Sequence, residues 1–288
     1  MLRRLRKLLN HPGFRAEPAA VLTRAALWAG CVALRKRPVF SLTREGERLR
    51  VPSDLRYTSV SAFVLRDWSE PELRELHRFV RPGDVFVDVG ANIGLYSLKA
   101  ARLAGPTGRV VAVEPGRTAA DLLEENLALN RHANVAAHVA VVRKALSDRS
   151  GEATLHHIAA GNDPQAFSLL TDGSAPGAER VETTTLDALA AQLGLPRVDC
   201  VKIDVEGAEP LVIDGGREVL TRWRPTIIFE VNSAIALRQA GTADGAWTRL
   251  AALGYRFSRL TDGALAPISA FPRDFCNVVA VAADAPKG

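Results

Sequence analysis

Four carboxylates of the chain stand where two apolar runs end. Asp204, Glu206 and Glu209 follow the run VKI, and Glu230 follows the run TIIF. If the runs are neighbouring parallel strands, their carboxyl ends meet at one sheet edge and the four side chains converge. Crowded like charges raise the pKa of at least one member, and such a carboxylate can act as a general base at neutral pH. The cluster indicates proton transfer, with Asp204 as the first candidate base and Glu206 and Glu230 beside it.

Three alternatives stay open for this cluster. Oxygen-rich sites also suit magnesium or calcium, so the same carboxylates could hold a divalent cation that acidifies a substrate hydroxyl. Glu206 or Glu209 could instead cap the next helix, and Lys202 could simply neutralise the cluster. His156 and His157, in a separate strand-like run, are candidate bases from another side of the site.

A second motif lies in VFVDVGANIGLYSLKAA, residues 85–101, where an apolar strand turns into a helix. The motif is D-x-G-x-N-x-G from Asp88 to Gly94, and Gly90 and Gly94 allow a sharp turn with close ligand approach. A dinucleotide fingerprint needs G-x-G-x-x-G, and this spacing fails it. A carboxylate before the turn disfavours a pyrophosphate. It suits a cationic ligand such as the amino group or sulfonium of S-adenosylmethionine.

Glu114 closes the next apolar run, VVAVEP, where a carboxylate can accept both hydroxyls of a ribose. An acidic residue at this distance in the sequence after the glycine turn occurs in both dinucleotide and S-adenosylmethionine sites. Only Asp88 and the spacing of the glycines therefore favour S-adenosylmethionine over a dinucleotide. The structural alternative is an ordinary turn in which Asp88 caps the following helix.

Apolar strands and helices alternate from about residue 81 onward. Apolar residues on both sides of each strand centre predict burial on both faces, which is typical of a doubly wound, mainly parallel α/β sheet. We predict this domain over residues 81–284, with an inserted hairpin at about 151–185 that contains a long polar loop. Residues 1–80 are predicted to form a separate extension or cap, with a hairpin in SLTREGERLRVP and a helix in SEPELRELHRFV beginning after Ser69.

The N-terminal region carries the basic charge of the chain. Residues 1–50 hold 12 Lys/Arg against 3 Asp/Glu, a net charge of +9, whereas the remainder carries −4. The run PAAVLTRAALWAGCVALRKR is too short and too charged for a confident membrane span. It favours either a basic amphipathic element on an anionic membrane or helices that pack on the core with a solvated arginine face. Three single cysteines indicate neither a disulfide framework nor a thiolate zinc site, which favours a reducing, cytoplasmic location.

The chain resembles the FkbM-type methyltransferases in FVDVGANIGLYS, VVAVEP, NLALN, KALSDRSGEATL, TTLDAL and VKIDVEGAEPLVIDGG. The resemblance covers roughly residues 85–257. It implies the Rossmann-like class I methyltransferase fold, S-adenosylmethionine as cofactor and O-methylation. The implied cofactor residues are Asp88, Gly90, Asn92 and Gly94 for the methionine moiety, Glu114 for the ribose, and Ser147 and Asp148 for the adenine edge. The carboxylates would then lie beside the transferable methyl.

The leading functional hypothesis is an O-methyltransferase acting on a hydroxyl of a sugar, glycan or related natural product. A second hypothesis is an RNA methyltransferase whose basic N-terminus tracks phosphates, although no RNA-binding module is recognisable and no nucleic-acid partner is expected. A third is a non-catalytic binding protein on the same fold, against which the intact Asp88, Gly90, Gly94, Glu114 and Asp204 argue.

Overall fold

The computed structural model describes residues 9–131, 138–157, 167–168, 178–232, 244–261 and 263–283. Its N-terminal region begins with two helices and a hairpin: α1 (Pro12–Ala16), α2 (Pro18–Ala33), β1 (Val39–Ser41) and β2 (Arg48–Arg50). Strands β1 and β2 pair antiparallel, which confirms the predicted hairpin. No helix in the described ranges is long and apolar enough to cross a membrane.

The segment that leads to the central sheet differs from its prediction. It contains α3 (Tyr57–Val64), a 3₁₀ turn at Arg66–Ser69, α4 (Pro71–Arg74) and a second 3₁₀ turn at Leu76–Arg78. The predicted helix is therefore broken, and its N-cap is Glu70 rather than Ser69. Glu70 is extended (φ −136°, ψ 133°), so the chain turns into the helix one residue later than predicted.

An eight-stranded sheet forms the centre of the molecule. Its strands are β3 (Val85–Val89), β4 (Arg109–Val113), β5 (Val139–Val142), β10 (Cys200–Ile203), β11 (Thr226–Val231), β12 (Tyr255–Thr261), β13 (Ala264–Ile268) and β14 (Cys276–Ala282). Their spatial order is β13-β12-β14-β11-β10-β3-β4-β5, and the five strands from β11 to β5 are parallel. The order reverses beside β3, so the carboxyl ends of β3, β4 and β10 border the crevice where such sheets bind ligands.

Helices cover both faces of this sheet, which confirms the predicted doubly wound fold. They are α5 (Leu95–Ala104), α6 (Arg117–Leu129), α7 (Leu186–Gln192), α8 (Glu209–Asp214), α9 (Arg217–Arg222) and α10 (Gly245–Ala252). Neighbouring strand residues face opposite layers. Phe86 packs with Leu98 and Leu123 on one face, and Val87 packs with Leu186 and Val212 on the other. Both faces bury aliphatic side chains, which is why the strands are continuously apolar.

The N-terminal region packs on the face that carries α5 and α6. Trp28, Phe63 and Leu73 share one continuous apolar core with Phe86 and Leu98. Asn126 on α6 reinforces this contact, because its side chain bonds both the N–H and the carbonyl of Arg50. Residues 9–80 therefore form a layer on the sheet, and the predicted domain boundary at residue 80 stays a prediction.

The insertion forms a second, four-stranded sheet from β6 (Ala145–Leu146), β7 (Gly151–His157), β8 (Phe167–Ser168) and β9 (Glu179–Thr184). Strands β7 and β9 pair antiparallel, and β6 pairs parallel with β9. Most of the predicted polar loop, residues 158–166 and 169–177, lies outside the described residues.

Candidate active site

The glycine turn joins β3 to α5 at the sheet edge. Gly90 and Gly94 have φ angles of +79° and +95°, and Asn92 between them has φ +48°. A Cβ on Gly90 would lie 1.9 Å from the backbone oxygen of Asp204. Position 90 therefore requires a glycine because this turn packs closely on the end of β10. The sequence alone predicts a different reason, the close approach of a ligand.

Asp88 is the penultimate residue of β3 and is buried. Its Oδ2 accepts a hydrogen bond from Ser97 Oγ at 2.5 Å, so the carboxylate ties the strand to α5. Burial raises the pKa of Asp88 to about 6, although the bond from Ser97 lowers it. Contact between Asp88 and a cationic ligand stays a prediction.

Glu114 connects the glycine turn to the end of β4. Its Oε2 accepts from the N–H of Asn92 and its Oε1 from the N–H of Gly116, both at 2.8 Å. Each carboxylate oxygen has a second lone pair for a ligand hydroxyl. Burial raises the pKa of Glu114 to about 7. Asn92 Oδ1 is buried without a hydrogen-bond partner among the described residues, which leaves an acceptor for a ligand N–H.

Ser147 and Asp148 follow β6, next to the end of β5 in the chain. Ser147 Oγ donates to Asp148 Oδ1 at 3.1 Å, and its backbone N–H donates to the carbonyl of Thr184. A Cβ on Gly215 would lie 2.0 Å from the Ser147 carbonyl oxygen, so the end of α8 packs directly on this segment. The segment is firmly placed, and its contact with adenine stays a prediction.

Three of the four predicted carboxylates converge in an acidic cluster, defined here as Asp204, Glu206 and Glu230. One carboxylate oxygen from each lies within 4.8 Å of the others. Asp204 follows β10, Glu230 lies near the end of β11, and Glu206 sits between them in a turn at φ +52°. A non-glycine residue at positive φ is strained, and such strain is typical of functional sites.

Glu209, the fourth carboxylate, binds backbone instead of joining the cluster. Its Oε1 accepts from the N–H groups of Val205 and Gly207, each at 3.1 Å. Burial raises the pKa of Glu209 to about 7. Glu209 therefore has a structural role, because its carboxylate holds the turn that projects Glu206. It does not cap the next helix as the alternative predicted, since that helix has no side-chain cap bond.

Glu230 is the cluster member with a clearly perturbed pKa. Burial, followed by the charges of Asp204 and Glu206, raises its pKa well above the ordinary value. Its Oε2 is buried and has no hydrogen-bond partner in the described part of the chain. A buried carboxylate oxygen that no donor stabilises has a high proton affinity, which is the property of a strong base.

Lys202 faces Asp204 from within the sheet. Its Nζ lies 2.8 Å from Asp204 Oδ2 and 4.8 Å from the centre of the Tyr96 ring. Burial alone would lower the pKa of this fully buried lysine, but Asp204 and Glu70 raise it above its usual range. Asp204 Oδ2 is thus occupied by the ammonium of Lys202, whereas Glu230 Oε2 has no partner among the described residues, so the geometry favours Glu230 as the base over the first candidate from the sequence.

Four further polar residues at this edge were missed in the sequence. Tyr96 Oη donates to Glu70 Oε2 at 2.6 Å, and Asn277 Nδ2 lies 3.2 Å from the same oxygen and 3.1 Å from Glu72 Oε2. Asn277 stands opposite Glu230 in the β11–β14 register, so this network adjoins the acidic cluster. The sequence signal for this network is the acidic pair Glu70 and Glu72 in SEPEL, which from the sequence alone is explained as part of a helix start.

The metal and histidine alternatives stay predictions. The acidic cluster offers the oxygen ligands that magnesium and calcium use, but the ammonium of Lys202 already balances one of its charges. His156 lies on β7 of the second sheet, and its Nδ1 is buried without a partner among described residues. The side chain of His157 lies outside the described residues.

The part of the chain that carries this site matches known proteins. The profile of the Methyltransferase FkbM domain matches residues 88–257, more than half of the chain. The 2-O-methyltransferase NoeI of Sinorhizobium fredii is 30% identical over 158 residues, which cover 50% of this chain and 62% of NoeI. The AMB antimetabolite synthetase AmbE of Pseudomonas aeruginosa is 28% identical over 302 residues, which cover 90% of this chain and 14% of AmbE.

A solved structure is also similar. The crystal structure of the methyltransferase FkbM from Methylobacillus flagellatus is 15% identical and covers 90% of this chain and 59% of its own, with a TM-score of 0.47. The matched part of the present chain spans less than two thirds of the length of NoeI and of AmbE.

Proposed function

Because the chain belongs to the FkbM methyltransferase family, we propose that it transfers a methyl group from S-adenosylmethionine to a hydroxyl oxygen of a sugar, glycan or related small molecule. The observation that carries the proposal is the contact between Gly90 and the backbone carbonyl of Asp204. This contact joins the glycine turn and the acidic cluster into one continuous site. A cofactor on the turn would therefore lie beside the carboxylates.

The residues of the turn fit S-adenosylmethionine. Asn92 Oδ1 is an orphaned acceptor for the amino group of the methionine moiety, and Glu114 keeps acceptor capacity on both oxygens for the ribose hydroxyls. Ser147 and Asp148 would contact the adenine. When bound, this cofactor supplies an electrophilic methyl group on a sulfonium sulfur.

Glu230 is the proposed general base. An aliphatic hydroxyl is a poor nucleophile until its proton is removed, and a positioned base typically contributes about 10²- to 10⁴-fold to the rate. Glu230 Oε2 has no competing donor among described residues and takes the hydroxyl proton in this scheme. Asp204, held by Lys202, and Glu206 orient the same hydroxyl as acceptors.

The acceptor class is inferred from the charge at this edge. Five carboxylates surround the proposed acceptor position: Asp204, Glu206, Glu230, Glu70 and Glu72. Carboxylates accept hydrogen bonds from hydroxyl groups and repel phosphates, so a hydroxyl-rich molecule fits and a nucleic acid does not. The name of the 2-O-methyltransferase NoeI agrees with transfer to oxygen.

We expect the affinity for S-adenosylmethionine to depend on the ionisation of Glu114. Its pKa of about 7 means that lowering the pH from 8 to 6.5 protonates most molecules at this site. Protonation removes acceptor capacity, so the dissociation constant should rise by about 4-fold over that interval. Calorimetric titration at both pH values measures the change.

Two variants, Glu114→Gln and Glu114→Ala, test whether the ionisation of Glu114 causes this change in affinity. The glutamine variant should bind more weakly and lose this component of the pH dependence, whereas ionisation of the ligand itself affects every variant equally. The alanine variant should bind about 30- to 1,000-fold more weakly, because charge-assisted hydrogen bonds are worth roughly 2–4 kcal/mol together. Wild-type affinity in Glu114→Ala would refute the proposed ribose contact.

A further inference from the structure

The exposed face of α2 is apolar except for Thr23. Leu22, Leu27 and Leu34, the last being the C-cap, are 56%, 58% and 71% exposed. Small apolar residues fill the surface between these leucines: Ala19, Ala26, Ala29, Gly30 and Ala33. Exposed contiguous apolar surface on a helix indicates a partner surface rather than ordinary solvent contact.

The polar groups of α2 are satisfied within the protein. Thr23 Oγ1, on the exposed face, donates to the carbonyl of Ala19 at 2.9 Å. Arg24 turns away from that face and pairs with Glu17 at 3.1 Å. Placing this face in an apolar medium therefore leaves neither side chain without a hydrogen bond. Arg24 therefore does not form a solvated face, whereas the buried Val21 and Trp28 show the packing on the core that the second alternative predicted.

The opposite face of α2 is fixed to the core. Trp28 is buried, its ring centre lies 4.8 Å from that of Phe63 with the planes tilted by 37°, and its Nε1 donates to the carbonyl of Asp54 at 3.0 Å. The exposed leucines are therefore presented by a helix that is already folded and anchored.

Basic side chains lie at both ends of this apolar face. Arg15 is exposed before α2, and Arg35 and Lys36 are exposed directly after Leu34, followed by Arg37, which is exposed but pairs with Glu125 at 2.7 Å. The region as a whole carries the net charge of +9 noted above. An apolar helix face with basic residues at its ends is complementary to anionic headgroups above acyl chains.

We propose that α2 docks the protein on an anionic lipid bilayer, with Leu22, Leu27 and Leu34 in the interface and the basic residues on the headgroups. At 16 residues and about 1.5 Å per residue, α2 is too short to span a bilayer and instead lies in its surface plane. The proposal is independent of the methylated substrate.

Charge favours a bilayer over a second copy of the chain. A two-fold interface places the same patch against itself. Here both ends of the patch are basic, so either helix orientation would bring like charges together. Anionic lipid meets both ends with the opposite charge.

The test is flotation of the full chain with vesicles of phosphatidylcholine alone or mixed with phosphatidylglycerol. We expect binding to the anionic vesicles, and a partition coefficient lowered by about 10-fold or more in Leu22→Ser/Leu27→Ser/Leu34→Ser. Arg35→Gln/Lys36→Gln/Arg37→Gln should weaken binding to anionic vesicles only. The matched control is Leu265→Ser/Phe275→Ser, which removes exposed apolar side chains elsewhere and should bind as the wild type does.

Three results would overturn the proposal. One is absence of wild-type binding to anionic vesicles, and another is equal binding by the leucine variant with an unchanged melting temperature. The third is a dimeric mass by light scattering that becomes monomeric in the leucine variant, because the face would then join two copies of the chain.

Discussion

Replacing Glu230 with glutamine should lower kcat for methyl transfer by about 10²- to 10⁴-fold while the affinity for S-adenosylmethionine stays within a few-fold of the wild type. The amide has nearly the shape of the carboxylate but cannot accept the hydroxyl proton. Formation of S-adenosylhomocysteine over a panel of hydroxyl acceptors measures the rate.

The pH profile distinguishes loss of a base from loss of packing. Burial and the neighbouring charges of Asp204 and Glu206 raise the pKa of Glu230 well above that of an ordinary glutamate. A base works only when deprotonated, so wild-type kcat/KM should rise with pH through this raised ionisation. Glu230→Gln should lack that rise.

The variant Asp204→Asn tests whether Glu230 or Asp204 is the general base. It breaks the pair with Lys202 but leaves Glu230 ionisable, so its residual activity should keep a rising pH profile. If Glu230→Gln instead retains both the wild-type rate and the profile while Asp204→Asn loses them, Asp204 is the base.

Gly90→Ala should reduce the free energy of unfolding by about 3 kcal/mol or more. The added Cβ would lie 1.9 Å from the Asp204 carbonyl oxygen, and a backbone oxygen between two strand ends cannot move aside easily. Overpacking of this kind typically costs about 1–3 kcal/mol, and the φ of +79° adds strain for an alanine. Thermal or urea unfolding measures the loss.

Gly194→Ala is the control for the backbone component. Gly194 also has positive φ, +57°, but an added Cβ there meets no atom within 4 Å. This variant should lose only about 1–2 kcal/mol. Equal losses at the two positions would show that the contact with Asp204 is not what requires a glycine at position 90.

The central fold was predictable because its signals are local. The inner parallel strands are buried on both faces and therefore appear as mainly apolar runs, as in VFVDV, where Asp88 is the single polar residue. The glycine turn and the carboxylates near the strand ends could also be predicted, because they too are local features of the sequence. Strand ends meet at one edge in any such sheet, so the convergence of Asp204 and Glu230 followed from position in the chain.

The rest of the site depends on contacts that no local pattern records. Glu70 reaches Tyr96 and Asn277 from segments 26 and 207 residues away in the chain. The separation of Glu209 from the acidic cluster depends on the path of a strained turn. The choice of base depends on which carboxylate Lys202 meets, and that is decided by side-chain packing within the sheet.

The most direct test of the central claim is calorimetric titration of S-adenosylmethionine and, separately, NAD into the purified full chain. The glycine spacing, Asn92 and Glu114 predict saturable binding of one S-adenosylmethionine per chain and no measurable binding of NAD. Binding of NAD without S-adenosylmethionine would contradict the proposed cofactor site, and so would binding of neither ligand by the folded protein.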